Sequence, residues 1–254
     1  MKKGFRVVKG VPVYLDYKPA HGPITLPLPG ADPATFQAID QPHDARVLYA
    51  RDAKSVYIAQ WRQVQKLNDI DAATFQVLTP DGLFSRDSKH VFYQGVPLDK
   101  ADPQTFQVVE GVFGKDAERA YLGTVPIPVE QFATWRPFQP GRVEDPWYRS
   151  THDTHPLDHT KLFTAGWSGD ATRMYYGNRP VADADPATFI LLSEYYSKDR
   201  TNVYIAGDVI VSADPKTFEV HDGPYIRGTK FYSGPGPDAH DAKQSYKDGK
   251  LFPR

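Results

Sequence analysis

The sequence predicts an all-β chain: a repetitive array of short β-hairpins and meanders, about six units of about thirty residues, plugged by Asp-Pro helical turns. Three observations predict it. The string Ala-Asp-Pro-x-Thr-Phe returns at 31–36, 101–106, 184–189 and 213–218 of the 254 residues. Between its copies runs a second recurring string, an Asp-led polar turn followed by an aromatic-rich strand and then Gly. Finally, 23 Pro break up long helices, while 13% aromatic residues supply rings in place of leucines for a core.

The first string reads as a plug. Asp caps the orphan N–H groups of a short helical turn, Pro suits the first position inside it, and Phe enters the core. Ile70 to Phe75 is a weaker copy, so the plug rings fall at Phe36, Phe75, Phe106, Phe189 and Phe218, spaced by 39, 31, 83 and 29. The long gap is expected to hide a degenerate unit, Pro128 to Phe132. After each Phe the chain turns strand-like, as in Gln76-Val77-Leu78 and Ile190-Leu191-Leu192.

The second string appears as Asp52 to Ile58, Asp87 to Tyr93 and Asp199 to Ile205, with looser copies from Asp116, Asp170 and Asp241. Asp opens a turn, a strand emerges, and Gly folds it back, at Gly95, Gly123, Gly177, Gly207 and Gly249. Val7 to Val13 fits the same half-unit. His21 to Gly30 reads as a Pro-blunted sheet edge, and Tyr232 to Asp238 as a simple turn. One unit cannot hide its own aromatic face, so neighbours must stack. Units of ~30 residues are short for four-stranded blades of ~40–45, which favours an open or curved array over propeller-like closure. The expectation is one repetitive domain, 1–254, with a repeat-breaking insertion at about 126–167.

The Asp-led turn, aromatic strand, Gly hairpin and Ala-Asp-Pro-x-Thr-Phe together closely resemble the DKNYY family of bacterial repeat proteins. The best copies are Asp87 to Phe106 and Lys198 to Phe218. The resemblance covers most of 1–125 and 168–252 and departs at 126–167. It implies a bacterial repeat protein with no assigned catalytic residues, of a kind found beside secreted antibacterial toxins as immunity proteins.

Composition narrows the chemistry. Zero Cys removes disulfides, thiolate metal sites and cysteine nucleophiles. Thirty basic against thirty-one acidic residues argue against a nucleic-acid coat. There is no run of ~18 apolar residues to span a membrane and no apolar stretch of a signal peptide after Met1, so a cytoplasmic location is expected, or a periplasmic one if an export signal lies upstream. No phosphate loop, His-Glu-x-x-His or Gly-x-Ser-x-Gly is present; Gly166-Trp167-Ser168-Gly169 has the wrong spacing. The turn-opening Asp residues recur in every unit, whereas a catalytic acid is needed once, so they are expected to serve turns.

The interruption at 126–167 holds Trp135, Trp147 and Trp167, three of the four Trp, with Arg136, Phe138, Arg142, Tyr148 and Arg149. These residue types dominate energetic hot spots. They form the expected partner-binding set, with Glu144 and Asp145 as charges that complement a basic partner; the alternative is that the rings pack a local core. His152, His155 and His159 are weak metal candidates, since Pro156 interrupts a helix that could bring them together. The expected function is therefore a non-enzymatic module without cofactor, monomeric when free, that binds a toxin or effector protein as its immunity protein and occludes its active site. The alternatives are a metal-assisted hydrolase using the His cluster and an envelope scaffold or glycan-binding module.

Overall fold

The structure is a computed structural model that describes residues 3–18, 22–42, 44–137, 166–193, 195–220 and 236–253. Among these residues there is no α-helix, and the strands form seven antiparallel sheets in chain order, none closed into a barrel. Sheet 1 has three strands, Gly4–Val8, Val11–Lys18 and Gly22–Pro27, the last being the Pro-bearing edge that the sequence indicated. Six four-stranded meanders follow. Sheet 2 is Gln37–Ala38, Leu48–Arg51, Val56–Gln60 and Gln63–Lys66. Sheet 3 is Gln76–Val77, Phe84–Arg86, Val91–Tyr93 and Val96–Pro97. Sheet 4 is Gln107–Glu110, Phe113–Lys115, Ala120–Leu122 and Val125–Ile127.

Sheet 5 is Arg136–Pro137, Trp167–Gly169, Met174–Tyr176 and Arg179–Pro180. Sheet 6 is Ile190–Leu191, Tyr196–Lys198, Val203–Ile205 and Asp208–Val209. Sheet 7 is Glu219–Val220, Ala239–His240, Ser245–Lys247 and Lys250–Phe252. The six meanders match the six expected units, but each has four strands. Four fit because most strands are only two to four residues long, shorter than the sequence suggested. The chain divides into two compact units, Met1–Val108 with Lys115–Ala117, and Val109–Gly114 with Glu118–Arg254.

Packing follows the plugs. Phe189 lies 5.2 Å from Trp167 of sheet 5 and 5.9 Å from Tyr204 of sheet 6, ring centre to ring centre. Phe218 sits the same way between Tyr196 and Tyr246, and Phe36 between Phe5 and Tyr57. These three plugs thus fill the gap between one sheet and the next, and ring pairs at such distances add about 0.5–1.5 kcal/mol beyond burial. The hairpin glycines tighten the same seams. A Cβ on Gly95 would come within 2.9 Å of Ile58 and Leu67, and one on Gly249 within 2.6 Å of Ile205. Positive φ, +79° and +72°, adds a backbone reason for Gly at both positions.

The degenerate unit differs from expectation. The plug is Trp135, not Phe132: Trp135 is buried against Phe113, with Ala120, Ile127 and Tyr175 around it, while Phe132 packs at the margin. Gln131 and Phe132 stand where Asp and Pro stand elsewhere, and Thr134-Trp135 keeps the place of Thr-Phe. Trp167 is likewise fully buried, in the second strand of sheet 5. The repeat therefore continues through Pro137 and resumes at Gly166; residues 138–165 lie outside the described ones.

Candidate functional site

The recurring Asp residues are the first chemistry to place. In sheet 2, the Asp32 N–H donates to Asp52 Oδ2 at 3.1 Å, so the plug Asp hangs on the turn Asp. Asp52 Oδ1 accepts the Lys54 N–H, and Oδ2 also accepts the Tyr57 hydroxyl at 2.8 Å. Thr35 joins the two turns: its hydroxyl donates to Asp32 Oδ2 and accepts the Ala53 N–H. The pattern repeats. Asp71 and Asp102 donate to Asp87 and Asp116, Asp185 and Asp214 to Asp199 and Asp241, and Thr74, Thr105, Thr188 and Thr217 each donate to their plug Asp. In sheet 5 the Glu130 and Gln131 N–H groups replace that of Asp, reaching Asp170 Oδ2 at 3.2 and 3.1 Å.

The turn carboxylates Asp52, Asp87, Asp170, Asp199 and Asp241 are buried, yet they hold their charge. Burial acts to raise the carboxyl pKa of Asp241, but N–H donors from Asp214, Lys243 and Gln244 and the Tyr246 hydroxyl outweigh it and bring it down to about 2. Asp52, Asp87, Asp170 and Asp199 are lowered by the same balance. Their partner phenols move the other way: burial first, then the carboxylate they donate to, raises Tyr175 to about 12. A carboxylate held ionised by donors that saturate it is a poor proton donor at neutral pH. The Asp–Thr–Tyr network is the frame of the fold.

One seam breaks the pattern. The fifth residue after the turn Asp is Tyr57, Tyr121, Tyr175, Tyr204 or Tyr246, but Phe92 in sheet 3. At the third residue Asn202 and Gln244 each bind their Tyr hydroxyl and a carbonyl of the preceding turn, Asp183 or Ser212. The residue at that place in sheet 3 is His90, edge-on to Phe92 at 5.9 Å, its Nδ1 3.5 Å from Asp87 Oδ1. Beside it opens a cavity of about 320 Å³, lined by Gln65 to Asp69 with His90, Phe92, Gly95 and Pro97. Ser88, the nearby hydroxyl, donates to Asp71 Oδ2 at 3.2 Å rather than to the imidazole, so no Ser–His relay is assembled here.

Of the partner-binding set, two residues are described. Trp135 is a core plug, and Arg136 is exposed in the first strand of sheet 5, where it pairs with Gly169. Phe138, Arg142, Glu144, Asp145, Trp147, Tyr148 and Arg149, and the metal candidates His152, His155 and His159, lie outside the described residues. Among the described residues no three His, Asp or Glu are grouped to hold a metal ion. Pro137 pairs with Ser168, so the chain leaves sheet 5 and re-enters it on adjacent strands. The same first-to-second-strand connection is long in sheet 7, between Val220 and Ala239, and short in sheet 4, between Glu110 and Phe113.

The family model described as the DKNYY family matches residues 60–125 and 167–252, more than half of the chain. It begins later than the resemblance in the sequence did, although sheet 2, which starts at Gln37, already carries the full network. No curated protein and no solved structure matches.

Proposed function

The chain belongs to the DKNYY family, and from that premise we propose that it is a non-enzymatic protein-binding module, an immunity protein that binds a cognate antibacterial toxin and occludes its active site. One observation carries the reading: the place where the repeat is interrupted. Among the described residues the frame uses its turn acids in turn-building hydrogen bonds and its plug rings in the core. The sequence that interrupts sheet 5 after Pro137 brings Trp147, Tyr148, Arg142 and Arg149 into one short stretch. Trp, Tyr and Arg supply most binding energy at protein interfaces, because they offer large contact areas at modest entropic cost. Glu144, Asp145, Asp153 and Asp158 add charges suited to a basic toxin surface and faster association. Co-expression with the product of the adjacent gene tests the proposal. A stable complex through size-exclusion chromatography, together with loss of that protein's toxicity, is the expected result; a neighbour that is neither toxic nor bound ends it.

A further inference from the structure

The third-to-fourth-strand hairpins of sheets 2, 3, 6 and 7, and the first hairpin of sheet 1, turn with positive φ at both central residues, the two-residue turn that matches strand twist. The pairs are Lys9-Gly10, Trp61-Arg62, Gln94-Gly95, Ala206-Gly207 and Asp248-Gly249. Four end in Gly, as this turn prefers. The sheet 2 turn has no Gly, and both Trp61 (φ +51°) and Arg62 (φ +61°) are held in the left-handed region, where bulky residues are rare and strained. Trp61 is itself 82% exposed.

Arg62 does have an internal role. Its Nη2 donates to the Gly22 carbonyl at 3.1 Å, tying the turn to sheet 1, while its buried Nη1 has no hydrogen-bond partner among the described residues, nor has Oε1 of the adjacent Gln60. The tie fixes where Trp61 sits. Gly22 and Pro23 pair with Lys18 and Tyr17, so the hairpin that bears Trp61 is held at the strand end carrying Tyr17, itself 50% exposed. Strain, exposure and unpaired polar atoms meet at one tip, with two solvent-facing rings and a guanidinium.

We propose that Trp61, with Tyr17 beside it, is an anchor by which this chain docks onto a protein partner whose facing surface is acidic. Charge selects the partner. The hairpin Val56 to Lys66 carries Arg62 and Lys66 and no acid, and the neighbouring Asp16 is buried, its Oδ1 accepting the Tyr17 N–H. The proposal rests on the protein-binding reading above and adds a second contact surface, remote in sequence from the interruption of sheet 5 and opposite in charge to its acidic residues.

The test uses the purified product of the adjacent gene, titrated calorimetrically against wild type, Trp61→Asn, Trp61→Phe and Tyr17→Ser at low and high salt. Asn tolerates positive φ, so Trp61→Asn is expected to melt at the same temperature as wild type or above it, yet to bind at least about tenfold more weakly. Trp61→Phe should fall between, and high salt should weaken wild-type binding as like-for-opposite charge steering is screened. Equal affinity for Trp61→Asn, or a fall of several degrees in its melting temperature, overturns the anchor while leaving the protein-binding reading in place. If wild type itself does not bind, that reading falls and the anchor with it.

Discussion

The seam at Tyr204 and the seam at Phe92 start from the same pattern and end differently. In sheet 6, Asp199 holds the Asp185 N–H at 3.0 Å and the Tyr204 hydroxyl at 2.7 Å, and Tyr204 and Asn202 reach on to the Asp183 carbonyl. In sheet 3, Asp87 keeps the Asp71 N–H at 2.9 Å and the Lys89 and His90 N–H groups, but Phe92 has no hydroxyl to give, and a cavity stands beside it. The difference separates what the turn requires from what the seam adds. A buried carboxylate saturated by backbone N–H groups is enough to build the turn; the phenol and amide bridge it to the unit before.

The largest effect should come from acid, because it strikes several turns at once. The pKa values of Asp52, Asp87, Asp170, Asp199 and Asp241 are lowered in the fold, Asp241 to about 2 from an ordinary 3.8. A group lowered on folding adds stability that is full above its unfolded pKa and lost as pH falls through its folded one. Stability is therefore expected to hold flat through neutral pH and to collapse between about pH 4 and pH 2. The raised tyrosines give the opposite limb: with Tyr175 at about 12, their contribution is complete below pH ~10 and lost above it. Urea midpoints measured across pH check both limbs, and a smooth decline centred near pH 6 would contradict this account.

Next in size are the turn carboxylates themselves. Asp199→Ala leaves the Asp185, Thr201 and Asn202 N–H groups without their acceptor and takes the shortest hydrogen bond from the Tyr204 hydroxyl, with an expected cost of about 3–4 kcal/mol at ~1 kcal/mol or more for each lost bond. Asp87→Ala strands backbone donors alone and should cost about 1 kcal/mol less. Chemical denaturation of the two variants reads the difference. Equal costs would mean that the phenol contributes nothing to the turn.

The sequence carried most of this frame and misread its details for physical reasons. Plug rings, turn Asp residues and hairpin glycines recur at fixed places, so their roles follow from repetition. The first strands are legible after each plug Phe, as at Gln76–Val77 and Ile190–Leu191, but their length is not, because a two-residue strand has no periodicity of its own and exists only by pairing. The hydroxyls of Thr35 and its equivalents join plug to turn, a role visible only once two distant segments meet. Trp135 was misassigned because Phe132 is the aromatic residue nearest Glu130-Gln131; the Thr134-Trp135 pair was the signal. Trp61 went unnoticed although Gln60-Trp61-Arg62-Gln63 occupies a hairpin place where sheets 3 to 7 all have Gly.

The smallest effect is the sharpest test of the comparison, because it exchanges the two seams. Tyr204→Phe removes a hydroxyl that contacts Asp199, Asn202 and the Asp183 carbonyl, and is expected to cost about 1–1.5 kcal/mol. Phe92→Tyr restores the hydroxyl that sheet 3 lacks. By its place in the repeat it should reach Asp87 as Tyr57 reaches Asp52, at 2.8 Å, with a gain of up to about 1 kcal/mol. The flanking cavity leaves room for one oxygen, and His90, half-exposed, can turn outward to admit it. Opposite signs of the two changes in denaturant midpoint confirm that one bridge is present and the other missing. If Phe92→Tyr destabilises instead, His90 already fills the bridging role, and the sheet 3 seam is a variant of the pattern with a different side chain in the phenol's place.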